Sequence, residues 1–137
     1  MRALTYMLVG IFILASCAGV ASTPVVTYRV NTATQQQLAY LQIDPNGFVV
    51  RTIGDETDEF QLSQTDFALV LDQMRAANIP MMRLPDAMPT CNTGAVFHTI
   101  MSGSDQVTFA DRSAPASVEP LLVSFQRILS VKIGDTP

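Results

Sequence analysis

The chain is poor in the residues on which most catalytic and ligand-binding signatures depend. Its 137 residues include no tryptophan, one histidine and two cysteines. The sequence contains no glycine-rich phosphate loop, no Gly-x-Ser-x-Gly elbow and no paired-cysteine zinc pattern. We therefore expect no enzymatic activity, no catalytic residue, no resident metal and no cofactor. Three tyrosines and no tryptophan also provide few of the stacking residues that carbohydrate binding usually employs.

Positive charge is scarce as well. Eight lysine and arginine residues stand against twelve acidic ones, which gives a formal net charge of −4, and the sequence contains no basic run. Nucleic acids and anionic lipid surfaces attract proteins through clustered positive charge. The composition therefore excludes nucleic acid as a partner.

Charged side chains are also missing from the N-terminal segment behind Arg2. Residues 3–16 are uncharged and largely aliphatic, but they are fewer than the roughly 20 residues that a membrane-spanning helix needs. The segment leads into Leu14-Ala15-Ser16-Cys17, in which small residues stand directly before a cysteine. About the first 18 residues resemble the signal of a bacterial lipoprotein, with this tetrapeptide as the lipobox.

The resemblance implies that Cys17 carries a lipid anchor and becomes the first residue of the mature protein. Residues 1–16 are then the signal peptide, 17–24 the lipidated cysteine with a short spacer, and 25–137 a single domain. Two or more acyl chains hold a protein stably on a bilayer. Because Ala18 replaces the Asp of an inner-membrane retention signal, the resemblance implies the outer membrane, facing the periplasm of a Gram-negative host. The alternatives are a Gram-positive host and an ordinary signal peptide cut near Ala18 or Ala21, which would leave a secreted protein without an anchor.

Lipidation of the first cysteine leaves Cys91 without an intrachain partner. In an oxidising compartment, such a thiol is either buried and inert or exposed and available to another chain. Burial is the expectation, because free cysteine is among the most buried residue types. The core of the domain must then hold the fold together without an internal disulfide.

The first half of the domain contains the local signals of strands and a tight turn. Val25–Val30 is rich in β-branched residues and predicts a first strand. Leu38–Ile43 and Phe48–Ile53 flank Asp44-Pro45-Asn46-Gly47, in which the proline presets φ and the glycine tolerates a positive φ. This pattern predicts a β-hairpin. The acidic stretch that follows, residues 54–59, is expected to be a turn.

Helical periodicity comes next, with a capping signal at its start. Ser63, with Asp66 three residues on, resembles an N-terminal capping arrangement. Apolar residues then recur at helical spacing: Phe67, Val70, Leu71 and Met74. The helix is expected to end near Asn78, because Pro80 disfavours helical geometry at the residue before it.

The rest of the chain predicts a second hairpin and a second helix. Residues 79–93 are rich in proline and are expected to be irregular. Residues 95–101 and 106–110 resemble a pair of strands, and residues 113–132 carry an apolar stripe at helical spacing. The stripe consists of Val118, Leu121, Leu122, Phe125, Ile128 and Leu129. The order β-β-β-α-β-β-α predicts an α+β fold, in which an antiparallel sheet of about five strands carries two helices on one face.

His98 is the one histidine, and it lies at the centre of a predicted strand. A catalytic histidine needs a nucleophile or a carboxylate beside it, and no such partner stands near it in sequence. A pair with Cys91 is conceivable, but it would still need support from a third group. We therefore expect a structural or surface histidine.

Two clusters offer metal-ligand chemistry. Asp55, Glu56, Asp58 and Glu59 supply the oxygen ligands that Ca²⁺ takes, but their spacing does not match an EF-hand loop. A solvated acidic turn is the favoured interpretation.

Met81, Met82, Met88 and Cys91 supply the soft sulfur ligands that Cu(I) takes, but no Met-x-Met or Met-x-x-Met repeat occurs. Methionines that fill gaps against a core, or that contact a partner, are favoured over a copper site.

These observations favour a non-catalytic envelope lipoprotein that is tethered to a membrane and binds another protein or a peptide. Loops carry binding residues more often than sheet interiors do. The expected partner-binding residues are Met81, Met82, Met88, Asp55 and Glu56. Two alternatives stay open: a small-ligand or copper-binding lipoprotein that uses the methionine segment, and an enzyme inhibitor that inserts the proline-rich loop into a target site.

Overall fold

The computed structural model describes residues 23–81 and 94–131 of the chain. The strands are β1 (Val26–Thr32), β2 (Gln37–Ile43), β3 (Phe48–Ile53), β4 (Glu56–Gln61), β5 (Val96–Ser102) and β6 (Asp105–Ala110). The helices are α1 (Gln64–Ala77) and α2 (Glu119–Ser130), and a 3₁₀ turn spans Ile79–Met81. All neighbouring strands are antiparallel, in the order β4-β3-β2-β1-β5-β6. The predicted α+β class is confirmed, with six strands rather than about five.

The turn between β2 and β3 forms where the sequence predicted it. The Asp44 carboxylate accepts hydrogen bonds from the backbone amides of Asn46, at 2.8 Å, and Phe48, at 2.9 Å. Gly47 has a φ of +79°, and a Cβ at this position would lie 3.1 Å from the ring of Phe67 in α1. Glycine is therefore required both for the backbone conformation and for the close approach of the helix.

The segment predicted as an acidic turn, residues 54–59, is mostly strand, so that prediction was wrong. The turn itself has two residues, and the first of them, Gly54, takes a positive φ of +60° that suits a two-residue hairpin loop. The remaining residues belong to the edge strand β4, which pairs with β3 along its whole length. On this edge strand Glu56 and Glu59 are exposed to solvent, whereas Phe60 packs against the core. The succession of carboxylates concealed this strand in the sequence.

The core lies between one face of the sheet and the two helices. Its buried apolar side chains include Val26, Tyr28, Leu41, Ile43, Val49, Ile100 and Val107 from the strands, Val70 from α1, and Leu121, Phe125 and Ile128 from α2. The apolar stripe predicted near the C-terminus is confirmed, since its other members are buried or packed against this core. The helix begins at Glu119 rather than at residue 113, with Pro120 in its first turn, where the missing N–H leaves no intrahelical hydrogen bond unmade.

Helix α1 is capped at both ends. At its start, the Ser63 hydroxyl accepts a hydrogen bond from the Asp66 amide at 3.1 Å and donates one to the Asp66 carboxylate at 2.7 Å. At its end, Asn78 adopts a left-handed conformation, with a φ of +48°, and donates its backbone N–H to the Met74 carbonyl. Both boundaries match the sequence-based prediction. Asp66 also pairs with Arg127, which joins the first turn of α1 to α2.

A buried arginine connects the sheet to the end of α2. Arg51 of β3 is 4% exposed and lies on the core side of the sheet. Its guanidinium donates hydrogen bonds to the carbonyl oxygens of Ile128, at 2.8 Å, and Leu129, at 3.1 Å. The same group pairs with Asp58 of β4 at 3.2 Å. The cation therefore lies at the negative end of the helix dipole and satisfies carbonyl groups that have no acceptor role within the helix.

Candidate functional site

The face of the sheet opposite the core carries a row of hydroxyl groups. Neither helix of the described residues packs on it, and we call it the helix-free face. Successive side chains of a strand point to opposite faces, so the residues between the core positions share this second surface. The strand registers align one residue from each of the six strands across its middle. The row runs Thr57, Thr52, Tyr40, Arg29, Thr99, Thr108. Four of its six members are threonines, and one member carries a charge.

Contacts within the row hold its side chains in place. The hydroxyls of Thr99 and Thr108 lie 3.0 Å apart on β5 and β6. The Arg29 guanidinium carbon lies 5.5 Å from the centroid of the Tyr40 ring, within the range of a cation–π contact. The Tyr40 hydroxyl donates to the side-chain oxygen of Gln42 at 2.7 Å. The surface is therefore polar and ordered before any ligand binds.

A cleft of about 290 Å³ opens at the β1-β5-β6 side of this face; we call it the Phe97 cleft. Its apolar lining is Phe97 and Ala33. Its polar lining is Asn31, Thr32, Gln35, Gln106 and the Thr99–Thr108 pair. No charged side chain of the described residues lines the cleft. The arrangement combines one aromatic ring with amide and hydroxyl groups, which are able to bind a small neutral ligand.

One wall of the cleft is the connection that follows β1. A bulge between Val30 and Asn31 shifts the end of the strand. The Thr32 hydroxyl then accepts a hydrogen bond from the Gln36 amide at 3.1 Å, and the Ala33 amide donates to the Ala95 carbonyl at 3.0 Å. These bonds fix the wall against both neighbouring segments. The sequence did not reveal the cleft residues as a site. Alternation of side chains along a strand indicates two faces, but it does not indicate which face the helices cover.

A second feature lies at the turn between β3 and β4; we call Leu38, Ile53, Asp55 and Glu56 the acidic hairpin end. Ile53 is 45% exposed and Leu38 is 38% exposed, which is high for large aliphatic side chains. The Gly54 amide donates to the Leu38 carbonyl at 3.2 Å, so the turn lies beside the start of β2. The carboxylates of Asp55 and Glu56 are exposed and have no ion-pair partner among the described residues.

The four acidic residues of the segment 54–59 lie in different surroundings. Asp58 pairs with Arg51 beneath the sheet, and Glu59 lies on the helix-free face, opposite Val50. Within residues 23–81 and 94–131, no group of three or more histidine, cysteine or carboxylate side chains is placed to hold a metal ion. Of the two predicted partner residues, Asp55 lies in the β3–β4 turn and Glu56 begins β4, on the same face of the sheet as Asp58.

His98 has two partners that are distant in sequence. The Tyr28 hydroxyl lies 2.7 Å from its Nδ1, and the Asp111 carboxylate lies 3.4 Å from its Nε2. Burial, with a smaller contribution from the charge of Asp111, raises the pKa of Tyr28 to about 12. Tyr28 therefore stays protonated, and its hydroxyl shares a hydrogen bond with Nδ1 while the Asp111 carboxylate faces Nε2. The imidazole also stacks on Phe109 at a centroid distance of 5.5 Å. A buried ring engaged at both nitrogens supports a structural role.

The remaining predicted site residues fall in parts of the chain without a structural account. Cys17, Met82, Met88 and Cys91 lie outside the described residues. Met81 ends the 3₁₀ turn after α1, and its side chain is likewise outside the description. The lipidation, copper-binding and methionine-contact hypotheses therefore stay predictions.

No protein-family model matches the chain, and no curated protein matches it significantly. In the two described ranges, no helix has both the length and the apolar character that crossing a bilayer requires.

Proposed function

We propose that this protein is a non-catalytic envelope lipoprotein, tethered to the outer membrane through Cys17, that uses the acidic hairpin end to bind a basic segment of a protein or peptide. The observation that carries the proposal is the combination of two exposed aliphatic side chains with two exposed carboxylates at one end of the sheet. Ile53 and its register partner Glu56 share one face of the sheet and Leu38 lies on the other, so an exposed apolar side chain stands beside a carboxylate at this hairpin. Apolar residues bordered by polar ones are the usual composition of a protein-binding patch. The carboxylates specify the sign of the partner's charge.

Both the tether and the negative charge of the domain favour an encounter with a basic partner at the membrane. Removal of residues 1–16 leaves seven basic residues against twelve acidic ones, so the mature domain is more negative than the full chain. A negative domain attracts a basic partner over a distance of about 10 Å at moderate ionic strength. Anchoring confines the search for that partner to the membrane surface, which raises its effective concentration. A small contact patch is then sufficient for function.

The non-catalytic part of the proposal is supported by the surroundings of the one histidine. Tyr28 and Asp111 engage both ring nitrogens of His98, and the ring is 9% exposed. A general base must reach a substrate proton at about 2.6–3.2 Å. An imidazole in this position would have to break its own contacts before it reached a substrate.

Site-specific photo-crosslinking in the intact envelope tests the contact surface. A photoreactive residue at position 53 should form a discrete adduct with one envelope protein. The double charge reversal Asp55→Lys with Glu56→Lys should abolish that adduct. The matched control places the same photoreactive residue at Val123, which is 65% exposed on α2. The proposed surface is refuted if position 53 forms no adduct, or if positions 53 and 123 form the same one.

Membrane fractionation tests the tether separately. Cys17→Ser removes the sulfur that would carry the lipid, so the full-length variant should retain its leader and fail to acquire fatty acid. Labelling with radioactive palmitate should mark the wild-type protein and leave the variant unlabelled. Normal maturation of Cys17→Ser, with unchanged recovery in the membrane fraction, would contradict the lipoprotein assignment.

A further inference from the structure

We propose that the Phe97 cleft is a binding site for one ring of a neutral saccharide. The site lies on the helix-free face, between β1, β5 and β6, and is distinct from the acidic hairpin end at the β3–β4 turn. Its lining supplies an aromatic ring, three primary amides and a group of threonine hydroxyls. This donor set is typical of recognition of a polyhydroxylated ligand that carries no charge.

The amide side chains match the hydroxyl pattern of a sugar ring. Each amide of Asn31, Gln35 and Gln106 offers one acceptor oxygen and two N–H donors. A hydroxyl group is both a donor and an acceptor, so one amide is able to contact two adjacent sugar hydroxyls in both directions. Within the described part of the chain, no hydrogen bond engages the side-chain amides of Asn31 or Gln35. These groups are free to bind a ligand without first breaking a contact.

Phe97 supplies the apolar part of the site. It is half-buried on β5, with Asn31 opposite it on β1 and Ala110 opposite it on β6. The negative π-face of an aromatic ring attracts the weakly positive C–H groups on the flat side of a pyranose. The partner of Phe97 on β6, Ala110, has a small side chain. One suitably placed ring is sufficient here, although the whole chain contains few aromatic residues.

The charge distribution excludes anionic ligands from the cleft. No charged side chain of the described residues lines it, and the nearby Arg29 is engaged with the Tyr40 ring. A phosphate or carboxylate in this position would lose water without gaining a cation from the cleft lining. Neutral hydroxyl groups lose less hydration and recover it through the amides. The site therefore favours neutral sugars over phosphosugars and acidic sugars.

The size and rigidity of the cleft fit one sugar ring with room for a chain. Small-molecule pockets begin at roughly 300 Å³, so a cavity of about 290 Å³ holds one monosaccharide unit. From Thr99 and Thr108, the hydroxyl row continues across the sheet towards Arg29 and Tyr40, which gives a second ring polar surface to follow. Gln106 donates to the Thr108 hydroxyl at 3.4 Å, so the floor is partly ordered beforehand and less entropy is lost on binding.

Saturation-transfer NMR and calorimetry with defined neutral sugars test the site. The probes are chitotriose and maltotriose, added to the purified full-length protein, with glucose 6-phosphate as the charged comparison. We expect at least one neutral trisaccharide to bind with a Kd of about 1 mM or tighter and glucose 6-phosphate to bind at least about tenfold more weakly. Absence of binding by both trisaccharides up to about 10 mM would overturn the proposal.

Matched phenylalanine variants locate the site. Phe97→Ala should weaken trisaccharide binding about tenfold or more, and Asn31→Ala should weaken it severalfold. Phe48→Ala is the control, because Phe48 is 38% exposed on the same face but lies on β3, outside the cleft. Thermal unfolding must show that all three variants are folded. Equal affinity of wild-type and Phe97→Ala proteins, or an equal loss in Phe48→Ala, would refute the location.

The double variant Asp55→Lys with Glu56→Lys should leave sugar binding unchanged, which separates this proposal from the protein-binding one.

Discussion

Replacement of Arg51 by methionine tests whether a buried charge holds the last helix on the sheet. Methionine fills a similar length of space, so the change removes the guanidinium without opening a large cavity. The carbonyl groups of Ile128 and Leu129 then lose their donor, at a cost of about 1–3 kcal/mol each. The loss of the pair with Asp58 is offset by the desolvation energy that the guanidinium no longer requires. We expect the free energy of unfolding to fall by about 2–4 kcal/mol.

Urea denaturation followed by circular dichroism measures this change through the midpoint and slope of the transition. Arg75→Met is the matched control: Arg75 pairs with Asp72 at 2.8 Å, but both side chains are more than 70% exposed. A surface pair of this kind contributes less than about 0.5 kcal/mol, so the control should unfold close to the wild type. Asp58→Asn should cost about 1 kcal/mol, because the Asp58 side chain is 39% exposed and solvent screens its pair with Arg51.

The outcome separates two roles for the guanidinium. A large loss in Arg51→Met with a small loss in Asp58→Asn means that the contacts with the helix carbonyls dominate. If Arg51→Met is as stable as the wild type or more stable, then apolar packing holds α2 and the charged contacts only compensate the burial of Arg51. That result would refute the reasoning, because it would show that the helix end needs no donor from the sheet.

Three further perturbations probe the hairpin, the first helix and the buried tyrosine. Gly47→Ala should cost about 1–3 kcal/mol, because it adds a close contact to an unfavourable positive φ, whereas Gly54→Ala, with open space around it, should cost only about 1 kcal/mol in urea melts. Ser63→Ala removes the N-cap of α1 and should cost about 1 kcal/mol by the same measurement; an unchanged midpoint would show that the cap is dispensable. Burial raises the pKa of Tyr28 from its ordinary value of 10.0 to about 12, so the folded protein keeps a proton that the unfolded chain loses. Stability should therefore be unaffected by this group below pH 10 and fall as pH rises from about 10 to 12, and Tyr28→Phe should remove that part of the slope.

The hairpin and the helices show how far local patterns reach. The turn at Asp44–Gly47, the Ser63 cap and the left-handed residue Asn78 were all predictable, because each depends on groups within about four positions of one another. The apolar stripe of α2 was predictable for the same reason, since helical spacing repeats within one segment. The strand at residues 56–59 of the acidic segment was not predictable, because its strand character depends on pairing with β3 and on an arginine beneath the sheet.

Local sequence patterns do not predict the candidate sites. No partner stands near His98 in sequence, and Tyr28, 70 positions away, reaches it only because β1 and β5 are neighbours in the sheet. The Phe97 cleft requires the same adjacency, together with β6 and the connection after β1. The alternation of side chains along the strands indicates that the sheet has two faces. Only the packing of the helices decides which of these faces becomes the core.

The sequence by itself therefore determined the class of the domain, its turns and caps, its acidic charge and a leader that resembles a lipoprotein signal. Tertiary structure alone decided the strand order β4-β3-β2-β1-β5-β6, the partners of the buried histidine and arginine, and the placement of one phenylalanine among amides and hydroxyls. The physical reason is the range of the interactions. Turns and caps are set by steric and hydrogen-bonding preferences of neighbouring residues, whereas a site on a sheet is assembled from residues that only strand pairing and helix packing bring together.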